Sequence, residues 1–232
     1  MPDLDIQLAN PAWYALTGAQ ADCGEPAVVD NARRYQSDVA YFAAIRCFGD
    51  AASWADLATM VGPGRVATVG RGDAPPEAPA DWEPLFSETT MQYLCVDPAP
   101  LPDIDVVDLG GADAPEMVEL VKLTEPGPFL DRTWILGHYI GIRRDGELVA
   151  MAGERMRADD WSEISAVCVH PSARRQGLGA ALTTMLAHEI RGRGAAAILH
   201  VRPGNDGGHA LYQSIGFEQR SEMTFRAWRT PT

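Results

Sequence analysis

The sequence has no apolar run of the roughly 18 to 20 residues that a bilayer-crossing helix needs, and its first residues, Met1-Pro2-Asp3-Leu4-Asp5, are acidic where a secretory leader is basic. It is also poor in cysteine. Cys23, Cys47, Cys95 and Cys168 are scattered without a CxxC pair, and the five histidines form no HExxH. Neither a disulfide framework nor a metal site is expected, and a cytoplasmic location is. Clustered basic charge is missing as well: 19 Lys and Arg stand against 32 Asp and Glu, a net charge of −13 over 232 residues. Residues 1–110 hold 17 of the acidic residues and only five of the basic ones. Phosphate neutralisation requires clustered Lys and Arg, so no nucleic-acid partner is expected, and no membrane partner either. An acidic face can attract a cationic amine, although solubility explains the charge equally well.

What is present is an ordinary globular composition, 46% hydrophobic and 22% charged, with an α/β pattern. Asn10-Pro11 to Gly18 reads as a capped short helix, and Ser53 to Met60 as a second, stopped by Gly62-Pro63-Gly64. Strands are expected at 65–70 and 91–96, separated by a proline-rich connection. Asp97-Pro98-Ala99-Pro100-Leu101-Pro102 is the most linker-like stretch, which divides the chain into an N-terminal α/β region (1–101) and a second domain (102–232). The second part is more regular. It offers a strand at 106–109 and a helix from Asp113 with the Asp-x-x-Glu spacing of a capping box. A hairpin around Asp145-Gly146 joins strands 139–143 and 148–156. A strand at 164–169, apolar on both faces except for Ser165, reads as central. An apolar helix at 177–191, a strand at 195–201, a short helix at 208–214 and a strand pair from Phe217 to Trp228 complete it.

The chemistry concentrates in Val167-Cys168-Val169-His170-Pro171-Ser172-Ala173-Arg174-Arg175-Gln176-Gly177-Leu178-Gly179-Ala180. A strand leaves sharply at His170-Pro171 and a glycine-containing turn opens a helix. Such a turn presents free backbone N–H groups and a positive helix end, and Arg174 and Arg175 add charge-assisted donors. That is a pyrophosphate cradle. A dinucleotide-binding turn would need a third glycine near Leu182, and a P-loop needs Gly-Lys-Ser/Thr; neither is present.

The segment resembles the GNAT acyltransferase superfamily, whose signature Arg/Gln-x-x-Gly-x-Gly/Ala stands here as Arg174-x-x-Gly177-x-Gly179. Asn205, Ala210-Leu211-Tyr212 and Gly216-Phe217 resemble its second cofactor motif. Arg175 departs from the glycine common after the signature arginine. Glu163-Ile164-Ser165 and the extra N-terminal region look most like a branch related to glycine N-acyltransferases. The resemblance covers about 102–228 and implies a mixed, splayed central sheet flanked by helices. It implies acetyl-CoA as co-substrate, its pantetheine arm pairing with Val167, Cys168 and Val169. The pyrophosphate is then expected on Gln176, Gly177, Leu178, Gly179 and Ala180 beside Arg174 and Arg175, with Asn205 and Ala210 near the arm and Tyr212 as the acid for the leaving thiolate. The acceptor is expected to be a small-molecule or peptide amine, attacking directly.

An alkylammonium has a pKa of about 10.4, so its proton must go somewhere near neutral pH. Glu163 and, second, Glu154 are candidate acceptors, and for either an ion pair with an arginine such as Arg155 is an equal alternative. For Tyr212 the alternative is core packing. Trp134 and Trp161 are either acceptor-pocket walls or, by preference, core, and His170 is expected to shape the loop. A Cys168 nucleophile lacks an orienting partner. Two other readings stay open: a non-catalytic acyl-CoA-binding regulatory module, and an NAD-linked oxidoreductase using the same turn.

Overall fold

The computed structural model describes residues 3–232. The first part of the chain forms α1 (Leu4–Ala9), α2 (Pro11–Leu16), β1 (Ala32–Arg34), β2 (Ala43–Ile45), α3 (Ala51–Val61), β3 (Val66–Arg71) and β4 (Glu83–Cys95). There follow β5 (Val107–Leu109), α4 (Ala114–Thr124), β6 (Tyr139–Arg144), β7 (Glu147–Arg157), β8 (Trp161–Val169), α5 (Leu178–Gly192), β9 (Ala196–Val201), α6 (Asp206–Ser214) and β10 (Phe217–Arg229). Eight strands make one mixed sheet in the order β3-β10-β4-β9-β8-β7-β6-β5, and β1 and β2 pair separately. Every neighbouring pair in the large sheet is antiparallel except β8 and β9, which run parallel across the α5 crossover. Among the described residues no helix is long and apolar enough to cross a membrane.

Helix α5 buries Leu178, Leu182, Leu186 and Ile190 against Ile164, Leu199 and Tyr93 of the sheet, the i, i+4 stripe that its sequence spells out. Helix α4 covers Met151, Ala166 and Cys168 with Met117, Leu120 and Val121. Helix α3 packs Trp54 between Trp82 and Trp228 at centroid distances of 5.5 and 5.6 Å, both edge-on. This is the preferred geometry for ring quadrupoles. Asp145 and Gly146 take φ of 51° and 88°, as a type I′ hairpin turn requires.

Several local expectations are corrected. Asn10 does not cap α2 through its side chain; its Nδ2 donates to the Ile45 carbonyl at 2.8 Å. Asp113 forms no capping box, because its carboxylate accepts from Gly110 N–H at 3.0 Å and from Arg143 at 2.6 Å. Strand β4 begins at Glu83 rather than Met91. Its first half shows no apolar alternation because one face, with Phe86 and Glu88, lines an open cleft. The C-terminal strand pair is one 13-residue strand, β10, bent by register shifts at 219/221 and 227/228. Strands from both sides of the 101/102 boundary share the large sheet, since β10 lies between β3 and β4.

Candidate active site

Strands β8 and β9 pair only at Trp161–Glu163 with Ala196–Ile198, although β8 continues to Val169 and β9 to Val201. Beyond Glu163 the two separate, and the backbone groups of β8 that face β9 lose their strand partner. The gap opens into a cleft of 1140 Å³. A bulge shapes its wall. Met151 pairs with Cys168 and Gly153 with Ser165, so Ala152 is left opposite Ala166 and Val167, and Ala166 sits at φ 51°. The extra residue shifts the side-chain phase: Ile164, Val167 and Val169 all pack toward α5, while Ala166 and Cys168 face α4.

At one end of the cleft the chain turns into α5 through Arg175 at φ 59° and Gly177 at φ 77°. No side chain caps the helix, and the first intrahelical bond runs from Ala181 N–H to the Gly177 carbonyl at 2.9 Å. The N–H groups of Leu178, Gly179 and Ala180 therefore point out of the helix end unpaired by it, with the helix dipole behind them. Gly177, Leu178, Gly179, Ala180, Arg174 and Arg175 all line the cleft. Both arginines are exposed, and Arg174 Nε donates to the Val169 carbonyl at 3.3 Å. An anionic diphosphate fits this donor set. His170 accepts from Ser172 N–H at 3.3 Å and bonds Ser172 Oγ at 2.7 Å, fixing the turn.

Tyr212, on α6, lines the same cleft next to Leu211, its ring edge-on to Phe217 at 6.2 Å. Burial pushes its hydroxyl up to about 12, so it holds its proton at neutral pH. Asn205 also lines the cleft, with its Oδ1 accepting from Gly208 N–H at 2.9 Å as the α6 cap. Just before the strand that begins at Phe217 stands Gly216, where φ is 93° and a Cβ would lie 1.7 Å from the Asp97 carbonyl oxygen. Only glycine fits that approach.

The cleft floor is an ionic cluster. Arg155 grips Glu163 with Nη2 at 2.5 Å and Nε at 3.0 Å, and His200 Nδ1 lies 2.6 Å from the same carboxylate. Gln92 donates to His200 Nε2 at 3.0 Å, and its own oxygen is pinned by Arg220 at 2.6 Å. That arrangement places the ring proton on Nδ1, toward Glu163. Burial alone would raise the Glu163 carboxyl, but the Arg155 charge and then His200 outweigh it and hold the group at about 2.

The structure brings Tyr212, Glu163, Val167, Val169, Arg174, Arg175, Gly177 to Ala180 and Asn205 to one cleft and leaves others out. Glu154 does not line it. It is fully buried away from the cleft, held by Arg193 at 2.6 and 3.0 Å and by Ser162. Burial would raise it, but Arg193 and Ser162 hold it below the usual range. Cys168 points its thiol at α4, where burial pushes it up to about 11, and it can offer the cleft only backbone. Gln176 is exposed and accepts from Arg144 at 2.7 Å, and Ala210 is exposed outside the cleft wall. Trp161 is core, donating to Gln7 Oε1 at 3.1 Å, and Trp134 packs beside Gly111. The sequence reading did not find His200, or the far wall formed by Tyr41, Phe42, Val66, Phe86 and Glu88. A histidine inside the apolar run Ile198-Leu199-His200-Val201 was the available signal for the first.

This fold recurs in known proteins. A crystal structure from Novosphingobium aromaticivorans, described as an acetyltransferase assigned to the GNAT family, is 33% identical, with a TM-score of 0.84 over 97% of this chain and 99% of that one. The chain belongs to the GNAT family of acetyltransferases. A family model described as FR47-like protein matches residues 139–227. The ribosomal protein bS18-alanine N-acetyltransferase of Escherichia coli is 29% identical over 133 residues, 55% of this GNAT chain and 87% of that enzyme. The mycothiol acetyltransferase of Thermomonospora curvata is 33% identical over 111 residues, 46% of this chain. Those residues span only 36% of the mycothiol enzyme's length. Membership replaces the oxidoreductase reading, and the finer likeness to glycine N-acyltransferases gains no support from these relatives.

Proposed function

We propose that this GNAT enzyme transfers the acetyl group of acetyl-CoA to a primary amine by direct attack within a ternary complex. The observation that carries the reading is the splay of β8 from β9 at Glu163, with the uncapped end of α5 and the Tyr212 hydroxyl opening onto the same cleft. Arg174, Arg175 and the N–H groups of 178–180 hold the diphosphate, and the unpaired edge of β8 beyond Glu163 offers backbone groups to the pantetheine arm. Acetyl-CoA supplies the activated acyl group. Donors of that edge also face a developing oxyanion.

Tyr212, protonated at neutral pH, donates to the leaving sulfur. The proton is made good by the amine, which loses one as the amide forms. Both oxygens of Glu163 are engaged by Arg155 and His200, so in this reading the carboxylate is not the group that takes the amine's proton. Its charge instead balances Arg155 and orients His200; the ammonium gives up its first proton to water before attack, and the second, lost as the amide forms, is the one that restores Tyr212. Residues 1–101 supply the acceptor wall.

Two measurements test this. Calorimetric titration should show micromolar binding of acetyl-CoA and none of NAD. Tyr212→Phe should then lower kcat about 10²-fold or more while leaving acetyl-CoA affinity unchanged, because the hydroxyl acts on the leaving group. Unchanged turnover would remove Tyr212 from that role.

A further inference from the structure

The acceptor end of the cleft is one face of a sheet. Val66 and Thr68 of β3, Ala227 and Phe225 of β10, and Phe86 and Glu88 of β4 alternate on it, in register as Thr68↔Ala227↔Phe86 and Gly70↔Phe225↔Glu88. Large apolar side chains stand open there: Tyr41 is 59% exposed, Phe86 51% and Val66 50%. Three such residues around one cleft mouth form a patch of the kind that marks a binding surface. From His200 on β9 to Thr68 on β3 the shelf crosses three strand spacings, about 14 Å, and Thr68 and Phe86 stand level with each other six residues along β4 from Gln92, the partner of His200, about 20 Å in that direction.

The charges on this side cancel. Glu163 is taken by Arg155, and Glu88 by Arg202 at 2.9 Å. Among the described residues lining the cleft, the one carboxylate without a cationic partner is Glu125, exposed on the loop after α4. The net charge of −13 therefore does not reach the site as free acid. A polycation would find one carboxylate for its several charges, and an amino-acid carboxylate would meet only arginines already engaged at this end.

We propose that the acceptor is a monoamine carried on an apolar, ring-sized body, the ring lying against Phe42 and Phe225, whose rings stand 5.4 Å apart and flank the floor at 5.1 Å from Arg155 and 5.8 Å from His200, and the amine reaching toward Glu163. The inference rests on the acetyl-transfer reading above. Initial rates of CoA release should be compared for 2-phenylethylamine, tryptamine, spermidine, kanamycin and a tetrapeptide with a free N-terminus. The aryl monoamines should exceed the others at least tenfold in kcat/KM. Phe42→Ala and Phe225→Ala should each raise KM for 2-phenylethylamine more than tenfold, with acetyl-CoA affinity, which reports an intact fold, unchanged. Spermidine, kanamycin or the peptide matching the aryl amines would overturn the proposal, as would an unaltered KM in Phe42→Ala and Phe225→Ala. Acetyl-CoA binding without turnover of either aryl amine would also overturn it and leave the cofactor site standing; failure to bind acetyl-CoA would sink both.

Discussion

Glu163 and Glu154 are nine residues apart and read alike in the sequence, yet their surroundings give them different parts. Each is buried and each is held by an arginine, but only Glu163 faces the cleft. The expected alternative of a carboxylate–arginine pair is realised twice, and Arg155 chooses Glu163 across the β7–β8 ladder rather than its neighbour Glu154. Breaking a buried pair leaves an uncompensated charge, so Glu163→Gln should cost about 3 to 5 kcal/mol of unfolding free energy. The pH dependence has a definite sign. A carboxyl at about 2 in the folded state and about 4.3 when unfolded contributes its stability in full above about 4.3 and loses it as the pH falls toward 2. The gap between wild type and Glu163→Gln in denaturant titrations should thus be constant at neutral pH and shrink in acid. A gap that grew in acid would contradict the pairing.

At the scale of elements, the strand–turn–helix from Val167 to Ala180 was legible because its parts are contiguous and each glycine has a local job. Gly177 and Gly179 nevertheless do different ones. Gly177 is left-handed with nothing within 4 Å of a Cβ, whereas a Cβ on Gly179 would make ordinary contacts of 3.5 and 3.6 Å with Val167 and Val169. Gly177→Ala should therefore cost about 1 to 2 kcal/mol through backbone strain and weaken acetyl-CoA binding by distorting the turn. Gly179→Ala should keep or gain stability, by up to about 1 kcal/mol, from helix propensity. Thermal unfolding and calorimetry of the two variants check this, and equal losses in both would refute the distinction. What stayed illegible was non-contiguous. His200 and Glu163 stand 37 positions apart and meet only because β8 and β9 are parallel neighbours, and Tyr41 and Phe86 join the site only through the β3-β10-β4 ladder. No periodicity within one element carries that information.

For the whole molecule, the proline-rich stretch after Cys95 has the composition of a linker but is tied into the fold. Val96 N–H donates to the Gly216 carbonyl at 3.0 Å, Ala99 N–H to the Ile215 carbonyl at 3.2 Å, and the Ala99 carbonyl accepts from His188 at 2.8 Å. Proline removes backbone donors and fixes φ, which signals an irregular path but not a free one. More decisive is β10, whose two neighbours both come from residues 1–101. Without them its backbone would lack a strand on either side, β9 would lose β4, and Met223, Phe225 and Trp228, now at most 8% exposed, would face water. Fully burying such side chains stabilises by roughly 1.5 to 3 kcal/mol each, comparable in sum to the 5 to 15 kcal/mol that holds a typical domain. Residues 102–232 expressed alone should therefore show no cooperative thermal transition, while the full chain unfolds in one. A sharp transition in that piece would mean that the acetyltransferase sheet is complete without the N-terminal strands, and that Tyr41, Val66 and Phe86 belong to a separable addition rather than to the wall of the site.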